Sequence, residues 1–236
     1  MGGYGLARTG LEPRPQIDAV REPVVGSRSA AILDAAEKVF AKSGFAGASM
    51  REIAEAAGVA QALIHYHFDN KEKLFEAMIA RRSGEINGAR AARLDHLLAA
   101  GRARLEDVVE ALFRPTIEVG HSLARDGGGF SRILVSAANS VDERDARLTE
   151  TFYDPIARKF IDAFCLIEPG LSRKDAVWAY MFSIGVGMTM MARTGRSARL
   201  SDGLCDDTDI DEMLREIVIY VCGGIRAMLT ANPNRD

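Results

Sequence analysis

Residues 49–75 read SMREIAEAAGVAQALIHYHFDNKEKLF, and their spacing predicts two short helices joined by a glycine turn. Ser49 and Glu52 are spaced as a capping box, in which each side chain bonds the backbone N–H of the other residue, so a helix begins after Ser49. Gly58 ends that helix after two turns, because glycine readily adopts the left-handed conformation of a helix C-cap. A second short helix follows over residues 60–67. This order of elements is the helix-turn-helix pattern.

The second short helix of such a unit is suited to the major groove of DNA, which is ~12 Å wide. The spacing of Val59, Ile64 and Phe68 predicts that these three side chains anchor its inner side to the core. Glutamine can bond base edges, alanine and leucine can meet a thymine methyl group, and tyrosine and histidine can reach phosphates. The candidate DNA contacts on the outer side are Gln61, Ala62, Leu63, His65, Tyr66 and His67.

Three further candidate DNA contacts lie near helix starts. Ser49 and Arg51 open the first short helix, where free backbone N–H groups and the positive end of the helix dipole suit a phosphate. Lys71 has a comparable place at the start of the next helix, for which the spacing of Asp69 and Glu72 predicts a second capping box. We expect these contacts to bind the DNA backbone rather than the bases.

Residues 31–75 resemble the DNA-binding domain of the TetR family of bacterial transcriptional regulators. The resemblance rests on I-A-x-x-A-G-V at 53–59, Y-x-F at 66–68 and N-K-E-x-L-F at 70–75. It implies a repressor in which the third helix reads an operator, the protein is a homodimer, and the C-terminal domain binds a small effector. The dipeptide Ala60-Gln61 stands where Ser or Thr followed by Lys is common, so one phosphate contact is lost and a possible base reader is gained.

Composition and charge are those of an ordinary globular protein. The 236 residues are 47% hydrophobic and 27% charged, with a net charge of −3, which excludes a uniformly basic nucleic-acid coat protein. Residues 27–73 carry six basic and six acidic side chains, so motif spacing rather than charge carries the DNA-binding prediction. Residues 1–26 lack an apolar signal segment and are predicted to form a flexible arm, whose arginines could add DNA contacts.

Three cysteines without a C-x-x-C pair support neither a zinc ribbon nor a disulfide framework, which favours a reducing cytoplasm. We expect no metal and no cofactor. His65 and His67 point ~200° apart on a helix and cannot share one ion. The longest uncharged run, residues 176–192, is shorter than the ~20 residues of a membrane-spanning helix, so no membrane association is expected.

Apolar spacing is helical along nearly the whole chain, and no alternating pattern predicts a strand. We therefore predict an all-α fold of about nine helices, with a helix-turn-helix domain at 27–75 and a ligand-binding and dimerisation bundle at 76–236. Residues 105–124 form a helix kinked at Pro115. Residues 143–167 form another, which Pro155 could interrupt, and residues 195–207 form a loop.

Two surfaces of the bundle have candidate residues. The uncharged helix and the last helix are apolar on several sides, which predicts a homodimer through both. Its candidate interface residues are Gly185, Met188, Val218, Val221 and Ile225. A mainly apolar effector pocket is predicted, with His121 and Tyr180 as its polar handles. The candidate pocket residues are Phe113, Ile117, His121, Leu134, Phe160, Phe164, Trp178, Met181 and Phe182.

Other interpretations stay open at this point. A basic, arginine-rich stretch indicates a solvated helix face, with a second DNA contact as the alternative. Its members are Arg81, Arg82, Arg90, Arg93, Arg102 and Arg104. The sequence contains no nucleophile elbow, glycine-rich phosphate loop or metal-ligand cluster, so no enzyme is predicted. A helical protein that binds small molecules or lipids, or an enzyme without any role at DNA, remains the alternative function, but it leaves residues 49–75 unexplained.

Overall fold

The computed structural model describes residues 27–125, 129–138, 140–191 and 194–231. Within these ranges every regular element is a helix, which confirms the all-α prediction. The predicted arm at 1–26 lies outside the described residues. The helices are α1 Ser27–Gly47, α2 Met50–Ala57, α3 Gln61–Phe68, α4 Lys71–Ala99, α5 Leu105–Arg125, α6 Phe130–Ala138, α7 Glu143–Phe152, α8 Asp154–Ile167, α9 Arg173–Met191, α10 Arg196–Leu200 and α11 Ile210–Ala231.

The helix-turn-helix unit forms in the predicted order, although only the Ser49 half of the predicted capping box is present. The Ser49 hydroxyl accepts a hydrogen bond from the backbone N–H of Glu52 over 3.1 Å, which begins α2. Gly58 ends α2 with φ 65°, and its N–H reaches the carbonyls of Ala54 and Glu55. Gly44 has φ 68° and ψ 173° and interrupts α1 near its end. Local capping chemistry therefore sets the boundaries of this unit.

The predicted cap of α4 is wrong by one residue. The Asn70 side chain, not that of Asp69, accepts the hydrogen bond from the backbone N–H of Lys73, over 2.9 Å. Asp69 has φ 63°, whereas an N-cap residue has an extended backbone. Because α3 ends in this left-handed turn, the capping position moves to the next residue.

Two differences raise the number of helices in the described residues from the predicted nine to eleven. The helix predicted over 143–167 is broken at Tyr153 into α7 and α8. Pro155 then lies in the first turn of α8, where its missing N–H breaks no hydrogen bond. The predicted loop at 195–207 contains the one-turn helix α10.

The buried side chains form two hydrophobic cores that share α4. The first core joins α1, α2, α3, α6 and α7 to the first half of α4, which contributes Ile79 and Ile86. The second joins α5, α8, α9 and α11 to the end of α4, which contributes Leu94. The boundary predicted at residue 75 falls inside α4, so this single helix connects the two cores. No helix within the described ranges is both long and apolar enough to cross a membrane.

Candidate DNA-binding and effector sites

Five of the six candidate DNA contacts of α3 are exposed to solvent. Ile64 is fully buried and Phe68 is 8% exposed, so the inner side is anchored as the spacing predicts. Leu63 is half-buried and packs against the same core. The outer side chains are exposed, and Tyr66 is 84% exposed. The exposed members are Gln61, Ala62, His65, Tyr66 and His67.

A short hydrogen-bond chain orients two of these side chains. His65 Nδ1 lies 2.7 Å from the carbonyl oxygen of Asp69, so Nδ1 must carry the proton and donate it. In the neutral ring Nε2 then accepts a hydrogen bond from the Gln61 amide nitrogen over 3.3 Å. This contact fixes which end of the amide faces His65. The Gln61 amide oxygen therefore points elsewhere and is available to a base edge.

The residues near helix starts are already engaged. Ser49 caps α2, and the Arg51 guanidinium pairs with Glu55 at 2.9 Å, with 81% and 65% of these side chains exposed. Such an exposed pair is weak, so Arg51 can exchange Glu55 for a phosphate at little cost.

Lys71 has a structural contact that its position in the sequence did not indicate. Its ammonium group donates to the carbonyls of Phe45 at 2.9 Å and Ala48 at 3.0 Å, and it lies 4.6 Å from the centre of the Phe45 ring. Lys71 therefore binds free carbonyls around the end of α1 and holds α4 against that end. Sequence spacing could not reveal this contact because the partners are 23 and 26 residues away.

The structure brings together only part of the predicted effector pocket. Four of its members are buried in the second core, each at most 4% exposed: Phe113, Ile117, Phe160 and Phe164. His121 is half-buried. Leu134 belongs instead to the first core. The remaining three predicted members, Trp178, Met181 and Phe182, are 51–60% exposed on the outside of α9.

The arginine-rich stretch of α4 is not a uniformly solvated face, and that prediction is wrong for Arg81, Arg82 and Arg90. The side chains of Arg81 and Arg82 are only 18% and 13% exposed, and both face the buried Glu37 of α1. Arg90 is 5% exposed. These arginines lie on the inner side of α4. The number of charges in a stretch of sequence does not show which side of the helix each one occupies.

Arg90 is buried between α4 and α5. Its Nε donates to the Leu112 carbonyl at 2.8 Å, and its two terminal nitrogens donate to Thr116 Oγ1 at 2.7 Å and Asn87 Oδ1 at 3.1 Å. The first two acceptors flank Pro115, whose ring disturbs the α5 hydrogen-bond ladder. Burial lowers the pKa of Arg90, but a guanidinium keeps its proton in proteins.

Two tyrosines lie near this guanidinium. Burial raises the pKa of Tyr153 to about 12 and also raises that of Tyr180, while the charge of Arg90 opposes both shifts. The Tyr153 hydroxyl is buried and has no hydrogen-bond partner among the described residues. Both hydroxyls therefore remain protonated at neutral pH, and Tyr153 has an unused donor.

Two clefts open elsewhere on the surface. One of about 390 Å³ lies between the end of α1, α6 and α7, and it contains Phe45 and Arg144. Another of about 280 Å³ lies between α9 and α11, with Met190, Cys205 and Glu216 in its wall. Neither cleft is lined by a residue of the predicted effector pocket.

The outer sides of α9 and α11 expose large apolar side chains. The Trp178 and Phe182 rings stack with their centres 5.6 Å apart. The exposed apolar residues here, which we call the α9/α11 face, are Val177, Trp178, Met181, Phe182, Ile219 and Tyr220. Single exposed apolar residues are common on the surface of a monomer, but a group of six large ones is characteristic of an interaction surface.

The predicted dimer residues divide between this face and the interior. Gly185 is exposed, and Met188 and Val218 are half-buried. Val221 and Ile225 are 6% and 2% exposed, because they belong to the second core of the chain itself.

The fold and the capped α2–turn–α3 unit are those of a bacterial helix-turn-helix regulator. Two family models match the chain: bacterial regulatory proteins of the tetR family over residues 32–78, and the tetracyclin repressor-like C-terminal domain over residues 110–224. The protein therefore belongs to the TetR family of transcriptional regulators, as the resemblance of residues 31–75 implies.

Individual relatives agree with this assignment. The regulator TtgR of Pseudomonas putida is 27% identical over 202 residues, which cover 85% of this chain and 79% of TtgR. Two solved structures share the fold. A transcriptional regulator from Pseudomonas aeruginosa has a TM-score of 0.63 at 18% identity, over 91% of this chain and 97% of its own. AibR, in complex with isovaleryl coenzyme A and operator DNA, has a TM-score of 0.56 at 22% identity, over 81% of this chain and 96% of its own.

Proposed function

We propose that this regulator is a homodimeric repressor that binds a palindromic operator through α3 and is controlled by a small, largely apolar effector that binds the C-terminal bundle. The observation that carries the DNA-binding part is the exposed outer side of α3, where the Gln61 amide is oriented by His65. Amides and tyrosine hydroxyls in this position suit base edges and phosphates.

The α9/α11 face supports the homodimer. Its six large apolar side chains are exposed on two helices that pack against each other. A second copy can cover this face by presenting the same two helices in a two-fold, four-helix contact. We therefore assign the dimer contact to Trp178, Phe182 and Tyr220 in place of Val221 and Ile225. Gly185 lies beside this face and permits close approach of the partner helix.

The continuity of α4 supports control by an effector. This helix begins at Lys71 beside the recognition helix, and its second half contributes Leu94 to the second core. A ligand that moves the second half of α4 must therefore also move its first half. A ten-fold loss of operator affinity requires a preference of only ~1.4 kcal/mol for the conformation that does not bind DNA. AibR, a protein of this fold, is seen with both a small molecule and operator DNA.

Selection of bound duplexes from a random pool, followed by sequencing, tests the proposal. We expect two inverted half-sites whose centres are about one helical turn, or a multiple of it, apart. Gln61→Ala should relax the preference at one base position in each half-site, at about 1–3 kcal/mol. Val141→Ala, which changes a 99% exposed side chain before α7, is the matched control and should leave the motif unchanged. A pool without any symmetric motif would favour the alternative, a helical ligand-binding protein or enzyme without a role at DNA.

A further inference from the structure

The buried guanidinium of Arg90 lacks a compensating charge. Its acceptors are a backbone carbonyl, a hydroxyl and an amide oxygen, and none of the hydrogen-bond partners found in the described ranges is a carboxylate. The Asp154 carboxylate near Tyr180 instead lies 3.7 Å from Arg158. A charge removed from water without a counter-ion is unfavourable, and proteins therefore rarely bury one unpaired.

The Arg90 guanidinium and the Tyr153 hydroxyl both have unused hydrogen-bond donors in the described part of the chain, and the charge of Arg90 opposes the burial that raises the pKa of Tyr153. A guanidinium has five N–H donors, and three of them are used by Leu112, Thr116 and Asn87. Two N–H donors therefore remain within the described structure, and the Tyr153 hydroxyl adds a third that has no partner. These three donors and the positive charge have no acceptor among the described residues. An anionic group would accept such hydrogen bonds and balance the charge.

The surroundings of this group are apolar. Thr116 places Arg90 against the stretch of α5 that also holds Phe113 and Ile117, and these side chains share the second core with Phe160 and Phe164. A ligand whose charged end reaches Arg90 would therefore have its remaining atoms among aromatic and aliphatic side chains.

We propose that the effector is an apolar molecule with a single carboxylate, and that this carboxylate binds Arg90 and the Tyr153 hydroxyl as the missing counter-ion. The inference rests on the proposed function, because it names the chemical class of the effector. Binding also connects the ligand to the fold, since Arg90 belongs to α4 and its acceptors Leu112 and Thr116 flank Pro115 in α5. An anion that draws the guanidinium away from those acceptors releases a contact between α4 and α5.

Calorimetry on the purified full chain tests the inference without DNA. The probes are straight-chain carboxylates of six to sixteen carbons and phenylacetate, each compared with its neutral amide. We expect at least one carboxylate to bind about ten-fold more tightly than its amide, because a hydrogen bond to a charged group is stronger than one to a neutral group. Arg90→Met should remove that preference.

The matched control is Arg93→Met, one turn along α4, where 46% of the side chain is exposed. It should keep the preference. If circular dichroism shows that Arg90→Met does not fold, Tyr153→Phe serves as the test instead. Because this variant lacks the hydroxyl donor, its preference for the carboxylate over the amide should fall by several-fold.

The inference is overturned if no carboxylate of the series binds, or if carboxylates and amides bind equally well. It is also overturned if the preference survives in whichever of Arg90→Met and Tyr153→Phe is folded. None of these results depends on the operator, so they are separate from the duplex selection that tests the proposed function.

Discussion

Arg82 of α4 donates a hydrogen bond from Nε to Glu37 Oε2 of α1 over 2.7 Å, and the Glu37 side chain is only 2% exposed. Arg81 lies on the other side, 3.9 Å from the same carboxylate oxygen. Two arginines that sequence spacing assigned to solvent thus attach α4 to the first helix of the DNA-binding unit. Because α4 continues into the second core, these pairs connect that core to the proposed DNA-binding unit.

Replacing Glu37 with Gln should destabilise the protein by about 2–3 kcal/mol, because the change leaves Arg82 partly buried without its main counter-charge. Chemical denaturation followed by circular dichroism measures the free energy of unfolding. The control is Glu143→Gln, whose pair with Arg147 is long and exposed at 3.8 Å with side chains 96% and 69% exposed. That variant should change stability by less than ~0.5 kcal/mol. Equal losses in the two variants would contradict the prediction.

Lys71→Met should lower both stability and DNA affinity. The ammonium group that binds the carbonyls of Phe45 and Ala48 is lost, and we expect a loss of about 1–2 kcal/mol in unfolding free energy. Binding to all duplexes should weaken about equally, since a phosphate contact carries no sequence information. Lys73→Met, two residues along with 65% of its side chain exposed, is the control for stability. A destabilised variant with unchanged DNA affinity would show that Lys71 serves the fold alone.

Phe182→Glu should convert a dimer into a folded monomer, because the change places a charge in the α9/α11 face, where Phe182 is 60% exposed. Light scattering measures the mass, and circular dichroism the helix content. Val221→Glu should instead unfold the chain, since it buries a charge in the second core. Val141→Glu, at a 99% exposed position outside this face, should leave the mass unchanged. A wild type that is monomeric at micromolar concentration would refute the dimer assignment.

The three cysteines should differ in reactivity toward iodoacetamide. Burial raises the pKa of the Cys222 thiol to about 11, and the residue is 2% exposed. Because the thiolate is the nucleophile, Cys222 should stay unmodified at pH 8 while the exposed Cys205 reacts. Mass spectrometry of the digested protein identifies the labelled sites. Label on Cys222 under native conditions would mean that α11 opens from the second core, and unfolding in denaturant should expose all three thiols.

The recognition unit could be predicted because local chemistry specifies it. Each signal depends on fewer than ten neighbouring residues. The structure confirms that Ser49 caps α2 and that Gly58 ends it, and it buries Ile64 and Phe68 on the inner side of α3. The all-α class also follows from the sequence, since apolar residues recur with the helical period along most of the chain. The error at Asp69 is of one residue and has a local cause, its left-handed backbone.

The effector domain could be predicted only in outline. Periodicity shows that α9 and α11 are apolar on several sides, but it does not show which side another helix of the same chain covers. That choice places Val221 inside and Phe182 outside. The same reason applies to α4, where Arg90 and Arg93 are three residues apart and lie on opposite sides of the burial boundary.

The sequence by itself determined the all-α class, the limits of α2 and the family, because these depend on short spacings along one chain. Only the tertiary structure decided which charges are buried, where the chain exposes an apolar face, and that Arg90 lies in the core between α4 and α5. Burial depends on contacts between residues far apart in the chain. Arg90 meets Thr116 across 26 residues, and Arg82 meets Glu37 across 45, distances over which no local pattern carries information.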